Sequence, residues 1–237
     1  MITEAAHSNW LAQSSEPVLD PDQPIIDAHH HLWHGFGKPV PWQPDYWHAE
    51  HGKDIASGHN IVATVFVECG YNYDTGAPAG FGPIGETRTI DAYAASFSEA
   101  TGSACKAAAA IVGFADLTLG AAVEAVLEAH LKAAPSRFRG IRQITPWDQS
   151  ADVRYPGFSI APELLLSEQF RDGFSRLQKF NLSFDAWLFH PQIPEIADLA
   201  RHFPDTTIIL DHFGGPLGVG PYAGKRAEIF QQWKKDI

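Results

Sequence analysis

Asp27, His29 and His31 stand at every second position in Ile25-Ile26-Asp27-Ala28-His29-His30-His31-Leu32-Trp33. The apolar start makes this stretch a short buried strand ending in an Asp-x-His-x-His cluster. Side chains alternate across a strand, which predicts Asp27, His29 and His31 on one face and His30 on the other. Two imidazoles on neighbouring same-face positions at a strand end can grip a metal ion or an anionic substrate. A His-rich loop, or one buried histidine satisfied by hydrogen bonds, has the same spacing, and spacing alone does not separate these readings.

Further chemistry-bearing side chains stand where apolar runs stop: Glu68 after IVATVFV, Arg142 in FRGIRQ, His190 after LSFDAWLF and His212 after TTIILD. The elements that carry them alternate. Strands are expected at 25–31, 61–68, 108–114, 138–143, 182–190 and 206–212. Helices are expected at 86–100, 119–134, 163–180, 191–202 and 225–235. Val123, Val126, Leu127, His130 and Leu131 recur at helical spacing in the second of these. Residues 34–60 and 70–85, rich in Gly and Pro, are expected as long loops of the kind that often carry function. Six strand–helix repeats with crossover-length connections imply a parallel α/β sheet. Polar residues gathered at the C-terminal edge of such a sheet mark the place where active sites are built.

The bulk properties fit a globular chain with a small-molecule substrate. Of 237 residues, 45 % are hydrophobic and 19 % charged, with a formal net charge of −11. That charge argues against nucleic-acid and anionic-membrane partners. No apolar run is long enough for a membrane span, and the start MITEAAHSNWLAQSSEP has no secretory-signal pattern. Cys69 and Cys105 are the two cysteines, consistent with a reducing, cytoplasmic setting. Residues 1–24 read as an N-terminal arm, with Trp10 and Leu11 as candidate anchors. Residues 25–237 read as one barrel-type domain, and nothing in the sequence opposes a homo-oligomer.

Taken in order, Asp27-Ala28-His29-His30-His31-Leu32-Trp33, Gly140-Ile141-Arg142-Gln143 and Leu210-Asp211-His212-Phe213-Gly214-Gly215-Pro216 resemble the amidohydrolase-2 group of the amidohydrolase superfamily. These are TIM-barrel hydrolases that include sugar lactonases and pyrone-dicarboxylate lactonases, with decarboxylases of aromatic or muconate-type acids among their relatives. The resemblance implies a (β/α)8 barrel of which this chain holds about six βα units. It also implies that strands seven and eight, and an acidic residue serving as general base, lie beyond Ile237. The chain alone is then expected to be weakly active or inactive.

By that resemblance His29, His31 and His190 would hold a divalent metal, zinc by preference. Some lactonases of the group use the same histidines on substrate without a metal. His190 is expected either as third ligand or as the group that polarises the scissile carbonyl, and His212 as a ligand or an oxyanion donor. Asp211 should face away from the site if its strand stays regular. Arg142 is a candidate for a substrate carboxylate, or else an ion-pair partner of Glu68. Glu68 would bond substrate or neutralise Arg142, and Asp27 would orient His29 or a hydrogen bond at the barrel bottom. Trp33, Trp42, Trp47 and Trp147 would surround the mouth, with Trp147 against substrate. His34, His48, His51 and His59 are expected as loop histidines.

The expected activity is hydrolytic opening of a lactone ring on a small carboxylated or sugar-derived substrate. The alternatives are a decarboxylase on the same fold and a non-catalytic binding protein.

Overall fold

The computed structural model describes residues 9–10, 12–14, 16–35, 45–154 and 159–237. Leu11 and Trp42 lie outside the described residues. Those described gather into two compact units. One holds the chain up to Val112 together with Lys132–Phe138, and the other holds Gly113–Leu131 and Arg139–Ile237. No helix of the structure is long and apolar enough to cross a membrane.

In the first unit, β1 (Pro24–His30), β2 (Asn60–Val67) and β3 (Lys106–Gly113) pair in parallel in chain order. The β-branched and aromatic run of β2 suits a pleated, half-buried surface, and Thr64 and Phe66 are fully buried. Parallel neighbours need crossovers, supplied here by α1 (His48–Ile55) and α2 (Ile84–Thr101). α2 buries Ile84, Ile90, Tyr93 and Phe97 and stops at Gly102. That glycine takes a left-handed φ of 71° while its N–H donates to the Ser98 carbonyl.

α1 corrects the expected loop over 34–60. Its sequence, HAEHGKDI, buries only His51 and Ile55, which is too sparse a stripe to announce a helix. His48 and His51 are therefore helical and packed rather than loop histidines. Nδ1 of His51 is 2.8 Å from the Tyr93 hydroxyl, and the His48 ring stacks on Tyr93 at 4.4 Å. Trp47 meets Tyr93 edge-on at 4.6 Å, so it belongs to this aromatic cluster. Trp10, read as an anchor, is 65 % exposed.

In the second unit, β4 (Phe138–Arg142), β5 (Ser183–Ala186) and β6 (Ile208–Leu210) are parallel and again in chain order. α3 (Val123–Ala133) precedes β4, and α4 (Glu168–Lys179), α5 (Ile193–His202) and α6 (Arg226–Asp236) follow β4, β5 and β6 in turn. α3 buries Val123, Val126, Leu127 and His130, the stripe the spacing predicted. Ser167 caps α4 by accepting the Phe170 N–H at 3.3 Å, and Phe170 and Phe174 pack edge-on to Phe184 of β5. At Gly173, a Cβ would stand 2.0 Å from the Leu117 carbonyl oxygen, so α4 and the turn at 117–122 touch backbone to backbone.

β5 and β6 are shorter than expected. Beyond Ala186 the chain turns aside, and the Trp187 carbonyl accepts from Thr145 N–H at 2.9 Å. His190 opens a 3₁₀ turn of its own. Beyond Leu210 another such turn begins at Asp211.

Candidate active site

The first unit supplies the histidine cluster. His31 Nδ1 lies 2.8 Å from the Val67 carbonyl oxygen, the residue that ends β2. A carbonyl only accepts, so Nδ1 carries the proton and Nε2 keeps its lone pair. This is the arrangement by which a protein fixes the tautomer of a metal-ligating histidine. The His29 ring stands edge-on to His31 with centroids 5.0 Å apart. Both side chains are half-buried.

His30 points the other way, as alternation predicts. It is buried, bonded to Thr64 Oγ1 at 2.8 Å, and lies 4.5 Å from the His51 ring. Burial, with the neighbouring His51 second, lowers its pKa to about 3, so it stays a neutral core group.

Asp27 departs from the expectation. It pairs with Thr64 while His30 pairs with Phe66, so three steps on β1 match two on β2. The extra residue is a β-bulge, and it returns Asp27 to the face of His30 instead of that of His29 and His31. Asp27 acts through backbone: Oδ1 accepts the His29 N–H at 3.3 Å.

Glu68 follows directly on β2 and is buried; the Tyr73 hydroxyl donates to its Oε2 at 3.5 Å. The loop beyond it is pinned by Glu86 of α2. Glu86 Oε1 accepts from the N–H groups of Cys69 at 3.0 Å and Tyr71 at 2.8 Å. Burial raises the Glu86 pKa to about 7, against the lowering effect of those backbone donors. The sequence reading missed Glu86; its one signal was an acid in the first turn of the helix, at a position flanked by the apolar Ile84 and Ile90.

The second unit supplies a cation, two acids and two histidines. Arg142 pairs in register with Asp185, which pairs with Ile209, so the three share one face. Phe184, on the opposite face, packs on α4. Arg142 Nη1 lies 3.9 Å from Asp211 Oδ2, both side chains nearly fully buried. Arg142 therefore has an acidic neighbour in Asp211, a partner the sequence reading did not name. Asp185 was also missed, although an acid inside Ser-Phe-Asp-Ala, a strand otherwise short of charge, is itself a signal.

Asp211 and His212 do not split across a regular strand. His212 and Phe213 both take left-handed backbone, with φ of 50° and 54°. Such strain in non-glycine residues gathers at functional sites. As a result an Asp211 carboxylate oxygen and a His212 ring nitrogen come within 4.8 Å of each other. His212 is exposed and stands edge-on to Trp187 at 6.0 Å.

His190 is buried, and burial lowers its pKa. Its Nδ1 accepts the Leu217 N–H at 3.2 Å, and its own N–H donates to the Gly215 carbonyl at 3.2 Å. A neutral ring that accepts at Nδ1 carries its proton on Nε2. That tautomer suits a hydrogen-bond donor, the second of the two roles expected for this residue. Gly215 is required here: its φ is 52°, and a Cβ would stand 2.3 Å from the Leu188 carbonyl oxygen.

Gln192, buried, ties the post-β4 loop to this turn. Its Oε1 accepts from Trp147 N–H at 2.8 Å and its amide donates to the Thr145 carbonyl at 3.0 Å. Trp147 is half-buried, with the Arg154 guanidinium 5.5 Å from its ring centroid.

A family model for amidohydrolases, family 2, matches residues 26–231. The chain belongs to the amidohydrolase-2 family. It is 30 % identical over 229 positions to the uncharacterized protein y4mH of Sinorhizobium fredii (strain NBRC 101917 / NGR234), covering 90 % of this chain and 68 % of that one. A crystal structure of an amidohydrolase from Burkholderia multivorans with bound zinc superposes with a TM-score of 0.57 at 20 % identity, covering 89 % of this chain and 63 % of that one. A probable 2-pyrone-4,6-dicarboxylic acid hydrolase from Acinetobacter baumannii, with citric acid bound, gives 0.55 at 13 % identity, covering 90 % and 66 %.

These likenesses show the fold. The amidohydrolase-2 chain is an α/β protein with six parallel strands of the TIM-barrel type. It spans somewhat under two thirds of the length of the zinc-bound relative.

Proposed function

We propose that this amidohydrolase-2 protein serves hydrolysis of a lactone or a similarly activated ester on a small carboxylated substrate, with a divalent metal on His29 and His31. The observation that carries the reading is the His31–Val67 hydrogen bond, which leaves an unprotonated Nε2 on a ring that stands beside a second imidazole. Imidazole nitrogen suits zinc, and the family relative from Burkholderia multivorans binds it. A bound divalent ion supplies Lewis-acid polarisation of the carbonyl and a lowered pKa for water.

The chain's own residues do the rest. Arg142 offers a planar fork to a substrate carboxylate, with Asp211 behind it to hold the guanidinium. His190, protonated at Nε2, donates to an ester oxygen and supports charge that develops on it. His212 takes the same part from the turn after β6. Glu68 accepts from a substrate hydroxyl, and Trp147 offers an aromatic face for stacking.

The test is product analysis after incubating the zinc-loaded protein with a panel of carboxylated lactones and aromatic acids. Ring-opened acid with proton release, lost in His31→Ala and Arg142→Ala, supports the reading. Carbon dioxide release in place of ring opening would overturn it in favour of a decarboxylase on the same fold. Tight binding of these acids without turnover, unaffected by either substitution, would favour a non-catalytic binding protein.

A further inference from the structure

His190 takes its tautomer from a loop, and something must hold that loop still. The Leu217 N–H that donates to Nδ1 belongs to the segment between the turn at 211–214 and the turn at 220–222. This segment is mainly backbone and glycine, with Gly214, Gly215, Gly218 and Gly220 within seven positions, so its own conformational preference is weak. The turn that closes it carries a side chain with a fixed partner. The Tyr222 hydroxyl donates to Asp148 Oδ2 at 2.7 Å, and the Tyr222 ring lies edge-on to the His190 ring at 5.2 Å.

Asp148 is itself well anchored. It is buried, its Oδ1 accepts the Ser150 N–H at 2.7 Å, and its carbonyl accepts from Arg154 Nε at 2.7 Å. The loop that carries it is held at Thr145 and Trp147 by hydrogen bonds to Gln192, two residues beyond His190.

We infer that Tyr222 and Asp148 are positioning residues: their hydrogen bond latches the 215–222 segment so that the Leu217 N–H keeps His190 protonated at Nε2. The latch joins the loops after β4 and β6 around the turn after β5, and His190 sits where the three meet. Tyr222 packs against one edge of the imidazole, Leu217 holds Nδ1, and Gly215 holds the backbone N–H. The charged groups that act on the ring are Asp148 and Asp236, through space rather than by a hydrogen bond. Without the latch the glycine-rich segment loses its fixed end, and the tautomer is no longer selected.

The inference rests on His190 serving as a donor in the proposed reaction, but its test does not require turnover. Ring-nitrogen NMR of the ¹⁵N-histidine-labelled chain at neutral pH reads the tautomer of His190 directly. The unsubstituted chain should show the Nε2–H form alone. Tyr222→Phe keeps the ring and its packing yet removes the hydroxyl, and should give a mixture of tautomers. Asp148→Ala should do the same, and Asp148→Asn, which keeps a hydrogen-bonding group opposite the hydroxyl, should restore the single form. An unchanged His190 spectrum in both Tyr222→Phe and Asp148→Ala would overturn the inference. A chain that shows the latch effect but releases carbon dioxide from these acids in place of ring-opened product would instead refute the proposed function and leave the latch standing.

Discussion

Arg142 Nη1 lies 3.9 Å from Asp211 Oδ2, and the pair joins the end of β4 to the turn that follows β6 with both side chains nearly fully buried. Removing one partner of a buried pair leaves an uncompensated charge, which typically costs about 3 kcal/mol or more. Arg142→Met should destabilise the chain by that amount. Asp211→Asn combined with Arg142→Met should recover part of the loss, because both charges are then gone. A double-mutant cycle by urea unfolding measures this, and strictly additive effects would show that the two residues do not interact.

Thr64 ties the face of the sheet that carries His30. Its Oγ1 accepts the Ala108 N–H at 2.9 Å and is bonded to His30 at 2.8 Å, all in fully buried surroundings. Thr64→Val is nearly isosteric but leaves those groups unmatched, at a cost of about 1–3 kcal/mol. Thr64→Ser keeps the hydroxyl and should cost less. Equal losses in the two variants would assign the effect to packing.

His130 gives a stability-against-pH signature. Burial, opposed by its hydrogen bond to the Phe114 carbonyl, lowers its pKa to about 4 from 6.5. The unfolded chain therefore binds a proton that the folded chain does not across this window. Stability from this group is complete above pH 6.5 and drains away as pH falls toward about 4, at roughly 1.4 kcal/mol per pH unit. Glu86 works in the opposite sense. Its pKa is raised from 4.5 to about 7, so its contribution is present at low pH and lost as pH rises through that value. Glu86→Gln should thus steepen the acid limb and His130→Gln should flatten it, as read from chemical unfolding across pH.

Burial raises the Cys69 thiol pKa well above its usual range, with the nearby Glu86 and Glu68 charges adding to it, and raises that of Cys105 too. Thiolate is the reacting species. Neither cysteine should react readily with a disulfide reagent in the native chain at mildly alkaline pH, and both should do so on unfolding. Fast native labelling would contradict the described environment.

The sequence carried the alternation of strands and helices, the crossover lengths and the residues at strand ends, because these follow from periodicity. His30 on the opposite face from His29 and His31 follows from the same rule. Asp27 was misplaced because a single-residue bulge reverses parity and leaves no mark in the sequence. Asp211 and His212 were misjudged for a related reason. The strand ends one residue before them, and left-handed backbone at His212 and Phe213 brings their donors together. α1 was hidden by its sparse apolar stripe. Asp148, Tyr222 and Gln192 were hidden because their partners lie 45 or more positions away, in loops whose paths periodicity does not describe.

Zinc titration of the metal-free chain by calorimetry tests the central claim most directly. A single zinc should bind the unsubstituted chain and His30→Gln alike. His29→Ala and His31→Ala should each lose more than the ~10–100-fold typical of outer-shell substitutions. Zinc binding that survives both alanine substitutions undiminished would contradict the account.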